Sequence, residues 1–151
     1  MRCLALDVGD RRNGIAVGEV IARPLLTQKR RSKAQDFAAI ADLIRAHQVD
    51  TVVIGLPFNM DGSTGLQAKR VMRYGERLKE ALEQMNLDIE LVFWDERLTT
   101  EQAEQAMISS GRSLRDRQSR VDAVAAAMIL QSYLDHGRDM PARNRDTGEQ
   151  A

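Results

Sequence analysis

The sequence has few of the residues on which several common kinds of active or metal site depend. It contains one cysteine in 151 residues, which excludes an internal disulfide and a site made of several thiolates. Two histidines and no Gly-x-Ser-x-Gly turn leave little basis for a Ser–His–Asp or Cys–His catalytic group. Aromatic residues make up 4%, so we do not expect base stacking to dominate a contact with nucleic acid.

Long apolar segments and an excess of one charge are also absent. No apolar run approaches the roughly 20 residues of a membrane-spanning helix, and Asp7 interrupts the first apolar segment before a signal-peptide core forms. We therefore expect a cytoplasmic protein with no membrane contact. Lys and Arg number 22 and Asp and Glu number 22, while 43% hydrophobic residues are ordinary for a globular chain. The length favours one domain.

The charges are unevenly distributed although they cancel in total. Residues 1–33 hold eight basic and three acidic residues, and residues 112–120 hold four arginines and one aspartate. Such patches attract a polyanion without a basic isoelectric point, but solvated surface has the same composition. The sequence leaves both interpretations open for each patch.

Strand patterns alternate with helix patterns, which predicts an α/β fold with a mixed sheet. The apolar segment Cys3–Val8 and a second strand over 15–21 form a predicted hairpin around a turn at 9–14, and Pro24 favours an edge strand after it. Residues 1–137 are the predicted domain, and the polar residues 138–151 a disordered tail. The later predicted elements are a helix over 34–47, a strand over 52–54, a loop over 55–65, a helix through Val71 and Leu82, a strand over 89–94, a helix beginning at Thr99 or Thr100 and ending at 109–111, and a helix over 119–134.

Acidic residues occur where the surrounding pattern is apolar. Asp7 interrupts the first apolar strand at its C-terminal end, Asp95 and Glu96 follow another strand, and Asp122 lies within an apolar helical run. An unpaired buried carboxylate costs several kcal/mol, so each needs a partner. Functional groups gather at the carboxyl ends of parallel strands, and Mg²⁺ or Mn²⁺ would relieve the repulsion between converging carboxylates. Two such ions are the usual device for phosphodiester hydrolysis.

Each acid also has an ordinary explanation. Asp7 suits the start of a turn, Asp95 or Glu96 suits a helix cap or a pair with Arg97, and Asp122 suits the positive end of a helix dipole. To exclude a functional cluster, these ordinary explanations would have to be correct for all three positions together, and this makes them a weaker account. Spacing alone does not decide whether Asp95 or Glu96 joins the predicted cluster.

Four segments together resemble the YqgF family. Its members are RNase H-like proteins related in fold to Holliday junction resolvases and described as nucleases for the precursor of small-subunit ribosomal RNA. The order and spacing of the segments agree over residues 2–137. The segments are Asp7-x-Gly9-x-Arg11-x-x-Gly14-Ile15-Ala16-Val17, Gly55-Leu56-Pro57-x-Asn59-x-Asp61-Gly62, Asp95-Glu96-Arg97-Leu98-Thr99-Thr100 and Arg120-x-Asp122-x-x-Ala125-Ala126-x-x-Leu130.

This resemblance implies an RNase H-like fold, with a mixed five-stranded sheet whose first three strands are antiparallel, flanked by helices. It implies a centre of Asp7, Glu96 and Asp122 that holds two Mg²⁺ or Mn²⁺ ions and catalyses hydrolysis, and it favours Glu96 over Asp95. The favoured substrate is the 5′ end of precursor 16S ribosomal RNA, with the ribosomal particle as a possible partner. A DNA junction is the alternative substrate.

Five further residues are candidate substrate contacts, each with a structural alternative. Arg11 and Arg120 bind phosphate or are solvated surface. Asn59 and Asp61 position the central loop against the substrate or are only turn residues of that loop. Arg97 supports the carboxylate cluster from outside the set of residues that would bind metal. A choice between helix surface and phosphate contact also stays open for Lys69, Arg70 and Arg73.

Two other functions compete with the nuclease. Actin- and hexokinase-like ATPases use a similar Asp-x-Gly strand–turn–strand, but they generally duplicate the core, and this chain holds one. A nucleic-acid or ribosome-associated binding module would keep the fold without catalysis. A pure binder has no need for three convergent carboxylates, which repel a polyanion unless a cation neutralises them.

Overall fold

A computed structural model describes residues 1–98 and 121–137. The predicted helix that begins at Thr99 or Thr100, the residue Arg120 and the predicted tail 138–151 lie outside these residues. None of the helices in the described part is both long and apolar enough to cross a membrane.

Five strands form one mixed sheet in the order β3-β2-β1-β4-β5. The first three strands are an antiparallel meander, and β4 and β5 run parallel to β1. The predicted mixed sheet with three antiparallel strands at its start is therefore confirmed. The strands are β1 Cys3–Val8, β2 Arg12–Gly18, β3 Ala22–Lys29, β4 Thr51–Leu56 and β5 Glu90–Asp95.

The second strand differs from its prediction by beginning earlier and ending earlier. Val8 pairs with Asn13, so the predicted turn residues Arg12–Gly14 already belong to the ladder, and the amide of Gly9 closes the turn by donating to the carbonyl of Arg12 at 3.0 Å. Val20 and Ile21 are apolar but 65% and 70% exposed in the β2–β3 turn. Tertiary pairing overrides turn propensity here. Pro24 lies on the edge strand β3, as predicted.

Three helices flank the sheet in the described residues. Helix α1 begins with a capping box, in which the Ser32 hydroxyl accepts from the Gln35 amide at 3.1 Å and the Gln35 side chain accepts from the Ser32 amide at 3.4 Å. A 3₁₀ turn, Glu96–Leu98, follows β5. The helices are α1 Lys33–His47, α2 Leu66–Gln84 and α3 Val121–His136.

The two faces of the sheet carry different cores. Leu4 and Leu6 of β1 point to α1 and α2 and belong to a core of large aliphatic side chains. Cys3 and Ala5 point to the other face, where α3 packs over a core rich in alanine. Because side chains alternate along a strand, Asp7 lies on the α3 face and Val8 on the opposite one. The carboxyl ends of β1, β4 and β5 share one edge of the sheet, where Asp7 is the second-to-last residue of β1 and Asp95 is the last residue of β5.

Candidate active site

Two of the predicted carboxylates meet at this edge. Asp7 is the second-to-last residue of β1, and Glu96 follows β5 directly, so the parallel arrangement of β1, β4 and β5 brings them together. Their carboxyl groups are hydrogen-bonded to each other. They line a small cavity of about 140 Å³ whose wall is formed by three side chains of α3, namely Ala125, Met128 and Ile129.

The environment of this pair opposes ionisation. Burial raises the pKa of Asp7 above its ordinary value, and the negative charge of Asp122 raises it further, while the hydrogen bond from Glu96 lowers it. Burial, followed by the charge of Asp7, raises the pKa of Glu96 to about 7. Near neutral pH the two carboxyls therefore share a proton, and a bound cation would take the place of that proton.

The third predicted carboxylate lies close to the pair but makes a different contact. Asp122 is in the first turn of α3, near enough for its charge to act on Asp7. Its Oδ2 lies 3.3 Å from Nε of Arg12, and a third of its side chain is exposed. Arg12 is one of the eight basic residues in 1–33, and the sequence alone does not predict its ion pair with Asp122.

A glycine in β2 allows α3 to come this close. Gly14 pairs with Asp7 in the sheet, and a Cβ atom at Gly14 would overlap the carbonyl group of Asp122. The first turn of α3 therefore packs directly against the backbone of β2. Gly14 belongs to the first of the four family segments, and the sequence alone does not explain why a glycine is there. In the structure, the missing side chain allows α3 to approach β2.

A second glycine lies beneath Glu96. A Cβ atom at Gly55 in β4 would lie 2.6 Å from Cδ1 of Ile129 and 2.9 Å from Oε1 of Glu96. A side chain at position 55 would therefore force Ile129 and Glu96 to shift from these positions, and glycine leaves room for both as they stand. The central-loop motif contains Gly55, but its packing function required the tertiary structure.

Asp95 makes a contact that Glu96 does not. Its carboxylate receives Nη2 of Arg97 at 2.7 Å and the Arg97 amide at 2.9 Å. Arg97 also donates to the carbonyls of Asn59 and Met60, both at 3.4 Å. Arg97 therefore links the end of β5 to the central loop through Asp95.

The two polar residues predicted in the central loop take part in its internal hydrogen bonds. Oδ1 of Asp61 accepts from the Ser63 amide at 2.9 Å and from its hydroxyl at 2.6 Å, and these bonds lower the pKa of Asp61. Nδ2 of Asn59 donates to the Ser63 hydroxyl at 2.9 Å. Arg11 is exposed in the β1–β2 turn, on the same edge of the sheet. Arg120 lies outside the described residues.

Carboxylate oxygens are suitable ligands for a hard divalent cation, although the three predicted carboxylates do not yet surround a common point. Within residues 1–98 and 121–137, no group of three or more His, Cys, Asp or Glu side chains is gathered as a metal would require. Asp7 and Glu96 already supply adjacent carboxylate oxygens, which Mg²⁺ and Mn²⁺ prefer. Asp122 would join them by turning from Arg12.

Residues 1–136 match the family model described as "RuvX: Holliday junction resolvase". The chain belongs to the RuvX family. Its curated relatives agree with the resemblance to YqgF proteins, which is thereby confirmed. A protein of Caldanaerobacter subterraneus is 45% identical over 89% of this chain and 96% of its own length. One of Thermoanaerobacter pseudethanolicus is 42% identical over the same shares, and both carry the name "Putative pre-16S rRNA nuclease".

Solved structures place this RuvX-family chain in the RuvC-like, RNase H class of folds. RuvC of Thermus thermophilus, solved in complex with a Holliday junction substrate, superposes with a TM-score of 0.57, covering 91% of this chain and 96% of RuvC. The Fowlpox virus resolvase, solved with junction DNA, gives a TM-score of 0.52 over 89% of this chain and 97% of the resolvase. The identities of 14% and 11% establish the fold alone.

Proposed function

We propose that this protein is a divalent-metal-dependent nuclease that hydrolyses phosphodiester bonds in the 5′ end of precursor 16S ribosomal RNA. The observation that carries the proposal is the pair of hydrogen-bonded, partly buried carboxyl groups of Asp7 and Glu96, with the charge of Asp122 beside it. The substrate comes from the names of relatives that match nearly their whole length. We expect the protein to act in the cytoplasm, on RNA or on a ribosomal particle.

Asp7, Glu96 and Asp122 are the residues that would hold the ions, as Mg²⁺ or Mn²⁺, two in number. Bound there, the ions would supply an activated water and charge stabilisation at the scissile phosphate. The oxygen-only donor set fits hard cations, and the raised pKa of Glu96 provides a proton that a cation would displace.

The chain itself shapes the surroundings of the reaction. Ala125, Met128 and Ile129 line one side of the cavity that holds the carboxyl pair, and this apolar side strengthens the charge interactions of the partly buried pair. Arg12 offsets the charge of Asp122 and limits its repulsion of a phosphate. Helix α3 therefore both carries one carboxylate and covers the other two.

Five further residues are proposed to help bind the substrate. Arg11 and Arg120 would contact phosphates, and Asn59 and Asp61 would set the shape of a central loop that lies over the substrate. Arg97 would hold the central loop in place, because it hydrogen-bonds to two carbonyl groups of the loop and to Asp95 at the end of β5.

A DNA junction is the second candidate substrate. The family description names a Holliday junction resolvase, and this is the observation that favours it. A resolvase makes paired cuts and needs a symmetric dimer. The oligomeric state in solution is thus one measurement that separates the two substrates.

The test is a cleavage assay on a labelled precursor ribosomal RNA fragment and a labelled four-way DNA junction, each with Mg²⁺, Mn²⁺ or EDTA. Asp7→Asn, Glu96→Gln and Asp122→Asn should each lower cleavage at least about 100-fold, the order expected on removing one directly acting electrostatic group. Asp42→Asn is the matched control, because Asp42 is an exposed acid on α1 that pairs only with Arg45 among the described residues. Circular dichroism checks that each variant is folded.

Metal-dependent cleavage of one substrate, lost in the three variants and kept in Asp42→Asn, supports the proposal and identifies the substrate. Equal cleavage by wild type and Asp7→Asn would contradict the assigned site. Binding without cleavage of either substrate, alone or on ribosomal particles, would favour a binding module.

A further inference from the structure

A basic groove opens on the other face of the sheet, beside the candidate active site. It lies between the β1–β2 turn and α2 and has a volume of about 270 Å³. Five basic side chains line it, while Asp10 is the one acidic residue among its described lining. The basic residues of this groove are Arg30, Lys33, Arg70, Arg73 and Arg77.

The groove is held in a defined shape. Nη1 of Arg30 donates to the carbonyl of Gly9 at 2.6 Å, and its guanidinium lies 4.9 Å from the centre of the Tyr74 ring. The Tyr74 hydroxyl accepts from Nδ2 of Asn13 at 2.9 Å. Asn13 is fully buried, and its Oδ1 accepts from the Gly9 amide at 3.3 Å. Arg30 is thus fixed before any ligand arrives, which lowers the entropy lost on binding.

The groove adjoins the carboxylates along the chain. Val8, Gly9 and Asp10 line it and follow Asp7 directly, so it begins within about 10 Å of Asp7 at a strand rise of roughly 3.3 Å per residue. Because Asp7 and Val8 point to opposite faces of the sheet, the groove and the cavity are on two sides of one edge. A ligand that crosses this edge reaches both.

The arginines of α2 are spaced for a chain of phosphates. Arg70 and Arg77 are seven residues apart, which is about 10 Å along a helix. Along the axis of a DNA duplex one strand carries a phosphate about every 3.4 Å, so a row of guanidinium groups about 10 Å long can face more than one phosphate at a time. A single small anion would leave most of these charges unpaired.

Not every cation of α2 belongs to the groove. Lys69 and Lys79 lie on the same helix and do not line it. The sequence left Lys69, Arg70 and Arg73 as equivalent candidates, and the structure separates them.

We propose that this basic groove binds the sugar–phosphate backbone of the nucleic acid next to the scissile bond, so that the strand crosses the sheet edge from α2 to the carboxylates. The proposal rests on the proposed function, since it identifies the surface that binds the nucleic-acid substrate beyond the site of cleavage. It predicts that the contacts are with phosphates and therefore depend on salt and not on base sequence.

The test compares two double variants that each remove two positive charges from α2. Arg70→Gln with Arg77→Gln changes the groove, and Lys69→Gln with Lys79→Gln is the matched control. Binding of a fluorescein-labelled RNA hairpin is measured by anisotropy in EDTA, from about 50 to about 200 mM salt, so that binding is read without cleavage. Melting temperatures verify folding.

We expect the groove variant to bind roughly 10- to 100-fold more weakly and to lower the slope of log K against log salt by about 2, while the control keeps most of the affinity and slope. Equal losses in both variants, or no loss in the groove variant, would overturn the inference.

This outcome can be separated from the test of the proposed function. If the groove variant cleaves and binds RNA normally, only the groove proposal is rejected. A weakened groove variant together with a wild type that never cleaves rejects only the nuclease.

Discussion

The two faces of the sheet are packed by different kinds of side chains. The face under α1 and α2 is filled by large aliphatic residues, all of them buried, among them Leu4, Leu6, Ile40, Ile44 and Leu82. The face under α3 has small residues near the active-site edge, including Ala16, Ala126 and Ala127. The first face supplies most of the burial that stabilises the fold, at about 1.5–3 kcal/mol per large side chain. The second lets a helix approach the strands closely.

Helix α3 is held through its C-terminal half, at the opposite end of the helix from Asp122. Trp94 and Tyr133 pack edge to face with ring centres 5.5 Å apart, and the Trp94 indole donates to the Ser132 hydroxyl at 3.0 Å. Gln131 accepts from the Ala22 amide at 2.8 Å and so ties the helix to β3. Helix α3 therefore packs through large side chains in its C-terminal half and comes close to β2 at Gly14, where the helix begins.

The largest effect expected within this comparison is that of Gly14→Ala. The added methyl group overlaps the Asp122 carbonyl, and because both are backbone-held, α3 has to move. We expect a loss of about 3 kcal/mol in the free energy of unfolding and a loss of cleavage in the protein that still folds. Denaturant unfolding and the cleavage assay measure both.

Gly65→Ala is the control for this change, because a Cβ atom there meets only the Asn59 side chain, at 3.1 Å or more, and that side chain is able to shift. It should cost less than about 1 kcal/mol. Similar losses in the two variants would show that the α3 approach has no special importance.

Ile44→Ala tests the opposite face. Ile44 is 2% exposed in the large-residue core, and its carbonyl accepts from the Val49 amide at the strand end far from the carboxylates. The cavity should cost about 2–4 kcal/mol of stability while cleavage per folded molecule stays unchanged well below the melting temperature. A loss of cleavage that exceeds the unfolded fraction would contradict the division between the two faces.

The pH dependence of stability should expose the carboxyl pair on the α3 face. The pKa of Glu96 is raised from 4.5 to about 7 in the folded protein, so its contribution to stability is complete below about pH 4.5 and is lost as the pH rises through 7. In EDTA the melting temperature of wild type should therefore fall relative to Glu96→Gln between pH 5 and pH 8. A wild-type minus variant difference that is constant with pH would refute the raised pKa.

Arg12→Gln should have the smallest effect. The Arg12–Asp122 contact is partly exposed, so its loss should cost less than about 1 kcal/mol of stability. Because Asp122 is then released toward the pair, the Mg²⁺ concentration for half-maximal cleavage should fall roughly 2- to 5-fold. Arg45→Gln removes a similar surface pair at 3.3 Å from Asp42 and should leave that concentration unchanged. An unchanged value in Arg12→Gln would show that this contact does not restrain Asp122.

Local pattern was sufficient for much of the fold. The bounds of β1 and α1 were predicted to within a residue because a short segment of mostly apolar residues and a helical period are properties of neighbouring residues. The beginning of β2 was not, because Arg12 and Asn13 are typical of turns. Asn13 joins the sheet and is buried, since it hydrogen-bonds to Tyr74 and Gln28, residues far away in the chain.

The sequence by itself determined the alternation of strands and helices, the family, and the positions of three acids within or next to apolar segments. Only the tertiary structure decided which acids meet, that Asp95 pairs with Arg97 while Glu96 contacts Asp7, that Gly14 and Gly55 leave room for them, and which cations of α2 face a groove. The physical reason is range: strand and helix patterns arise within a few residues, whereas pairing, close approach and electrostatic repulsion depend on atoms that the fold brings together from distant segments.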